Sequence, residues 1–97
     1  MDKRRKPLTP HEQLRIRQTM IASLAEHPEW DVPRALKEIR TALHLTIADM
    51  AKIGGISVPA LKNIEARRQS PTIATVESLL RPLGLKVGVG VIPGVEP

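Results

Sequence analysis

TIADMAKIGGISVPALKNIEARR, residues 46–68, sets two short helix-like runs either side of Gly54-Gly55 and closes on basic residues. Each run is about two to three turns long, and helices below ~12 residues are marginal in water on their own. Both must therefore be clamped by the rest of the chain. Thr46 caps the first run, whose Ile47, Met50 and Ala51 can face inward. Glycine accepts the left-handed turn that other residues resist, so Gly54-Gly55 stops it. Ser57 caps the second run, and Pro59 sits in its first turn, where a missing N–H costs little. Leu61, Ile64 and Glu65 share one side of this second run; Lys62 and, further round, Asn63 lie elsewhere.

Outward from this stretch, the chain divides into an arm, an extra helix, a helical core and a tail. Residues 1–8 read as a flexible basic arm. Residues 9–28 form an N-terminal helix, opened by Thr9-Pro10-His11-Glu12 as a capping box. Leu14, Ile21, Leu24 and Ala25 are expected on its inner side and Arg15, Arg17 and Gln18 mostly on the other, with Pro28 ending it near Glu26. The core spans 29–84. In it Asp31 caps a helix carrying Leu36, Ile39 and Leu43 inward, the two short helices follow, and Thr72 opens a last helix using Ile73, Val76, Leu79, Leu80 and Leu83. Pro82 weakens that helix and Gly84 closes it. The expected class is all-α with five helices.

Residues 85–97 break the helical pattern. Val87, Val89 and Val91 in LKVGVGVI alternate with small or polar residues, as in a strand. No other strand is expected, so its backbone groups need partners from outside the chain. Two copies pairing across a two-fold axis would supply them and make a homodimer, with Val87, Val89 and Val91 at its interface. Two glycines also weaken a strand, and the competing expectation is a frayed apolar tail.

Composition narrows the partners. Fifteen Lys/Arg against ten Asp/Glu leave a formal charge of +5, which favours a polyanion. Lys3, Arg4, Arg5 and Lys6 supply much of it. There is no cysteine, which excludes disulfides and thiol catalysis and fits a cytoplasmic setting. The opening MDKRRKPLTP has no apolar run behind it to make a secretory signal, and no window has the ~18 apolar residues of a membrane span. Trp30 is the only aromatic residue, so a stacking platform for single strands is excluded and duplex DNA is favoured. His11, His27 and His44 lack metal-ligand spacing. No Ser/His/Asp set is evident, and neither Gly54-Gly55 nor Val87-Gly88-Val89-Gly90 has the residues of a phosphate loop. Neither an enzyme nor a cofactor, metal or small-molecule ligand is indicated.

From about Leu36 to Leu85 the chain resembles the Cro/C1-type repressors, the Xre family of helix-turn-helix proteins. The resemblance is carried by Arg40, Leu45-Thr46, Met50-Ala51, Gly55-Ile56-Ser57, Leu61, Ile64-Glu65, Ser70-Pro71-Thr72 and Leu83-Gly84. It implies a lambda-repressor-like domain in which the run at 47–53 braces the run at 58–66, and the latter enters the DNA major groove. It implies also an ion pair between Arg40 and Glu65 that orients this recognition helix. There are two departures: Ile47 stands where the family usually has Gln, and Ala66-Arg67 where it commonly has a polar residue and Gly.

On that footing Ser57, Val58, Pro59, Lys62 and Asn63 are the expected base readers, with Ala60 between them. Val58 and Pro59 either pack on thymine methyl groups or only cap and pack the helix. Asn63 suits an adenine edge, and Lys62 a guanine or a phosphate. Thr46, Arg67, Arg68, Gln69, Ser70 and Thr72 are expected on phosphates. The arm Lys3–Lys6 either follows the backbone or a minor groove, or serves only solubility. A dimeric repressor of a bacterial, phage or plasmid operon, reading an inverted repeat, is the leading expectation. The alternative is an antitoxin of the same fold that binds a toxin and represses its own operon.

Overall fold

A computed structural model describes residues 7–92 and 94. The basic arm Lys3–Lys6 and the last residues of the tail lie outside the described residues. Among the described residues there are five α-helices, α1 (Pro10–Glu26), α2 (Val32–Ala42), α3 (Ile47–Gly54), α4 (Val58–Glu65) and α5 (Ile73–Leu80), with a 3₁₀ turn at Arg81–Leu83. Each α-helix is opened by a side chain that answers a free backbone N–H. Thr9 and Thr46 make reciprocal capping boxes with Glu12 and Asp49. Asp31, Ser57 and Thr72 accept from the N–H of Arg34, Ala60 and Thr75.

Helix exits share one device. At the ends of α2, α3, α4 and the 3₁₀ turn, a residue with positive φ reverses the chain: His44 (+59°), Gly55 (+69°), Arg67 (+63°) and Gly84 (+74°). The N–H one residue later then reaches back to a carbonyl five residues earlier: Leu45 to Arg40, Ile56 to Ala51, Arg68 to Asn63 and Leu85 to Leu80. This paired closure satisfies carbonyls that a helix end leaves open. It also lets α3 and α4, eight residues each, be short without exposing unmet backbone groups.

The core is built from one or more residues of every helix. Met20 of α1, Leu36 and Ile39 of α2, Met50 and Ala51 of α3, Leu61 and Ile64 of α4, and Val76, Leu79 and Leu80 of α5 are buried. Helix α3 packs on α4 and α5, and α2 on α1 and α4. Gly54 is where α3 comes closest to α5. A Cβ added there would overlap the Leu79 side chain and lie 3.2 Å from the Leu79 Cα. The Gly-Gly pair thus has divided duties: Gly54 permits the approach of two helices and Gly55 makes the turn.

Three expectations are corrected. First, no strand forms among the described residues, and 85–92 has no regular structure. Within a single chain the alternating valines have no neighbouring strand to pair with. Val89, Val91 and Ile92 are left largely exposed. Second, α1 turns a different face inward. Leu14 and Ile21 are exposed at 54% and 46%, and Ala25 is exposed too; of the expected inward residues only Leu24 packs on the core, beside Met20, which is buried. Met20 carries this face into the core beside α2, and Arg17, expected on the outer side, is half-buried, its Nη1 donating to the Leu83 carbonyl at 2.6 Å. Third, Ile73, the first residue of α5, overhangs the core and is 68% exposed.

Candidate nucleic-acid interface

Helix α4 is fixed from below by an ion pair. The Arg40 guanidinium donates through Nε and Nη2 to the two Glu65 carboxylate oxygens at 2.9 and 3.0 Å, and through Nη1 to the Leu45 carbonyl at 3.2 Å. These side chains are only 13% and 8% exposed. A fork onto a carboxylate fixes direction as well as distance. The contact joins α2 to the last turn of α4 and the α2–α3 connection, so the rotation of α4 is set together with the entry to its brace.

On the other side of α4, Pro59 and Lys62 are exposed and Ala60 and Asn63 half-buried. Lys62 makes no ion pair among the described residues. The Ser57 hydroxyl, also at the surface, accepts from Ala60 N–H at 3.1 Å. Val58 is half-buried and packs against the core, so it offers less apolar surface outward than its position suggests. The helix leaves Pro59, Lys62 and Asn63 as the side chains best presented to a partner.

The expected phosphate set is divided by the structure. Arg68, Gln69 and Ser70 are exposed, and the Arg68 guanidinium makes no ion pair or hydrogen bond among the described residues. Thr46 and Thr72 are exposed but use their hydroxyls as helix caps, at 3.0 and 3.1 Å from the N–H groups they answer. Arg67 is engaged elsewhere. Its Nη1 and Nη2 donate to Asp31 Oδ2 and Oδ1 at 2.5 and 2.9 Å, across 36 positions of sequence. The Arg67 guanidinium in turn holds the Asp31 carboxyl below its ordinary value. Close by, Trp30 stacks on His27 with ring centres 4.4 Å apart, and the Arg34 guanidinium lies 5.4 Å from the Trp30 ring centre. Nothing local in the sequence signals the Asp31–Arg67 contact, because Asp31 has a complete local role as a cap.

The departure Ala66-Arg67 is also resolved. Helix α4 ends at Glu65 and is not lengthened; Arg67 takes the left-handed conformation itself. An L residue there costs ~1–2 kcal/mol.

These features are the working parts of a DNA-binding helix-turn-helix domain: a short helix at the surface, a second packed on it as a brace, and a basic loop at its exit. The sequence model of the helix-turn-helix family matches residues 36–89, from within α2 into the tail. That is more than half of the chain, and the protein belongs to the Cro/C1-type helix-turn-helix family of DNA-binding transcription regulators. Helix α1 lies outside the matched span. Comparison with curated proteins and with solved structures found no match. No helix among the described residues is long and apolar enough to cross a membrane.

Proposed function

We infer that the chain is a dimeric, sequence-specific repressor that places α4 in the major groove of duplex DNA. The observation that carries this is the outer side of α4, where Pro59 and Lys62 are exposed and Asn63 half-exposed while Leu61, Ile64 and Glu65 hold the helix from behind. Asn63 is the base reader, suited to the paired acceptor and donor of an adenine edge. Lys62 and Ser57 serve either a base or the adjoining backbone, and Pro59, with what Val58 exposes, packs on thymine methyls. Arg68, Gln69 and Ser70 contact phosphates beyond the helix, and Thr46 and Thr72 mark helix starts where N–H groups favour an anion.

One such helix discriminates weakly, since a good bidentate pair distinguishes bases by ~1–3 kcal/mol. A second subunit supplies the rest. Support for a dimer through the tail comes from residues 86–92, whose backbone groups make no hydrogen bond among the described residues while Val89, Val91 and Ile92 stand in solvent. Paired tails would cover Val87, Val89 and Val91 and meet those groups. The exposed Leu14 and Ile21 of α1, outside the family match, favour a second reading in which a toxin-like protein docks on α1 and the chain is its antitoxin. Co-expression with the product of a neighbouring gene that is toxic alone tests it; persistent toxicity overturns it.

Selection of bound sites from a random duplex library at ~0.15 M salt tests the main reading. The expected result is an inverted repeat whose half-sites lie about one helical turn, ~34 Å, apart. Recovery of no preferred sequence overturns it. Asn63→Ala should relax one position of the selected site. Arg68→Ala should weaken binding to every sequence alike and lower the salt slope by about 0.9 per bound subunit.

A further inference from the structure

The exit of α4 carries two consecutive arginines with opposite fates. The Arg68 guanidinium has no partner among the described residues, whereas both terminal nitrogens of Arg67 are forked onto Asp31. The Asp31–Arg67 side chains are 55% and 56% exposed, so the pair lies at the surface beside the loop that holds Arg68, Gln69 and Ser70. A phosphate approaching it meets an almost neutral unit in place of a full cation. To take Arg67 it must displace a carboxylate whose own charge repels it. An exposed pair is weakly held, yet this one is a two-point fork onto the start of α2, made from a residue whose backbone turns the chain back at φ +63°.

We propose that Asp31 limits the affinity of this protein for duplex DNA of any sequence by holding Arg67 away from the phosphates. The proposal rests on the DNA-binding reading above. Asp31 acts on strength alone, since the residues facing the bases are on α4 and do not touch it. With Arg67 silenced, each subunit makes one phosphate contact fewer, and binding is less steeply dependent on salt. Asp31 does not act as a pH sensor near neutrality: Arg67 holds its carboxyl below the ordinary value, so the charge is retained.

The test is Asp31→Asn, Arg67→Gln and the double variant, each titrated with a random-sequence duplex between ~0.05 and ~0.2 M salt. Asparagine preserves the oxygen that accepts from Arg34 N–H, and it caps helices as well as aspartate does; unchanged circular dichroism confirms that α2 is intact. Asp31→Asn should bind several-fold more tightly at low salt. Its salt slope should steepen by about 0.9 per bound subunit, an extra loss of roughly 3.5-fold across the fourfold rise in salt. Arg67→Gln should change wild-type binding by less than about twofold but erase the gain in the Asp31→Asn background. Two effects that simply add would report long-range charge alone and overturn the proposal, as would an Asp31→Asn variant that binds no more tightly. A wild-type protein that fails to bind any duplex would instead remove the DNA-binding reading on which the proposal stands.

Discussion

Helices α3 and α4 leave by the same backbone turn, written in opposite chemistry. The exit of α3 is Gly54-Gly55-Ile56: the first glycine lies against Leu79, the second has φ +69°, and Ile56 packs against the core. The exit of α4 is Ala66-Arg67-Arg68, with φ +63° at Arg67 and all three residues exposed. The matching hydrogen bonds, Ile56 to Ala51 at 3.0 Å and Arg68 to Asn63 at 2.8 Å, show that geometry does not separate them. Surroundings do. The turn residues Gly55 and Arg67 both face water, and the difference lies beside them. Helix α5 presses on Gly54 and the core takes Ile56, so only small or apolar residues fit there, whereas Ala66 and Arg68 are exposed and a strained arginine stands between them. A rule of local structure broken at a surface points to function, because nothing in packing requires the breach.

The largest effect expected on this comparison comes from just inside the α4 exit. Glu65→Ala leaves Arg40 mostly buried without its carboxylate, and losing one partner of such a pair typically costs ~3–5 kcal/mol. Chemical denaturation should show a loss near the lower end of that range, with Arg40→Ala similar. A loss below about 1 kcal/mol would mean that the pair behaves as a surface contact and that α4 is held by its apolar side alone.

Gly54→Ala comes next. Overpacking typically costs ~1–3 kcal/mol, and the added carbon meets the backbone of α5 as well as the Leu79 side chain. The paired variant Leu79→Ala opens the space and should recover part of the loss when combined with it. Full additivity of the two would show that the α3 exit is not pressed as described.

Smaller again are the turns themselves. Gly55→Ala meets no atom within 4 Å, so its cost isolates the backbone and should be ~1–2 kcal/mol. At the other exit the sign inverts: Arg67→Gly should be more stable than Arg67→Ala by ~1 kcal/mol, since both lose the Asp31 contact and only glycine loses the strain. Equal melting temperatures for those two variants would mean that Arg67 is not held in the left-handed region.

Acid supplies the smallest effect. Glu12 is held below its ordinary value of 4.5 chiefly by the Thr9 backbone N–H, Glu29 likewise by the His27 side chain, and Asp31 below 3.8 by Arg67. Each folded-state value is depressed, so its contribution is present above the unfolded value and is lost as pH falls through the folded one. The melting temperature should change little on their account from pH 7 to about 5, then decline below about 4.5. All three are exposed, so the decline should be shallow and weakened by salt. Asp31→Asn should remove its share.

Much of this fold is legible in the order of residues because its punctuation is local. Caps at Thr9, Asp31, Thr46, Ser57 and Thr72 act within three positions of themselves, and Gly55 and Gly84 act on their own backbone. Helix boundaries therefore follow from short windows. Helix α1 resists such a reading: helical spacing groups Leu14, Ile21 and Leu24, but burial of Met20 in the core beside α2, with Arg17 bonded to the Leu83 carbonyl 66 positions away, sets the face it turns inward. The same limit applies at the interface. Lys62 and Asn63 could be placed on the outer side of α4 from helical spacing, whereas the pairing of Arg67 with Asp31 depends on two segments meeting in space.

What the chain's order determined alone is its division into short capped helices, its glycine stops at Gly55 and Gly84, and the helix-turn-helix signature from Leu36 onward, since each depends on neighbours within a turn or two. Tertiary structure alone decided which face α1 buries, that Val58 turns partly inward, and which of two adjacent arginines keeps a free charge. Those outcomes depend on distant groups competing for the same side chain, and spacing along a chain carries no record of that competition.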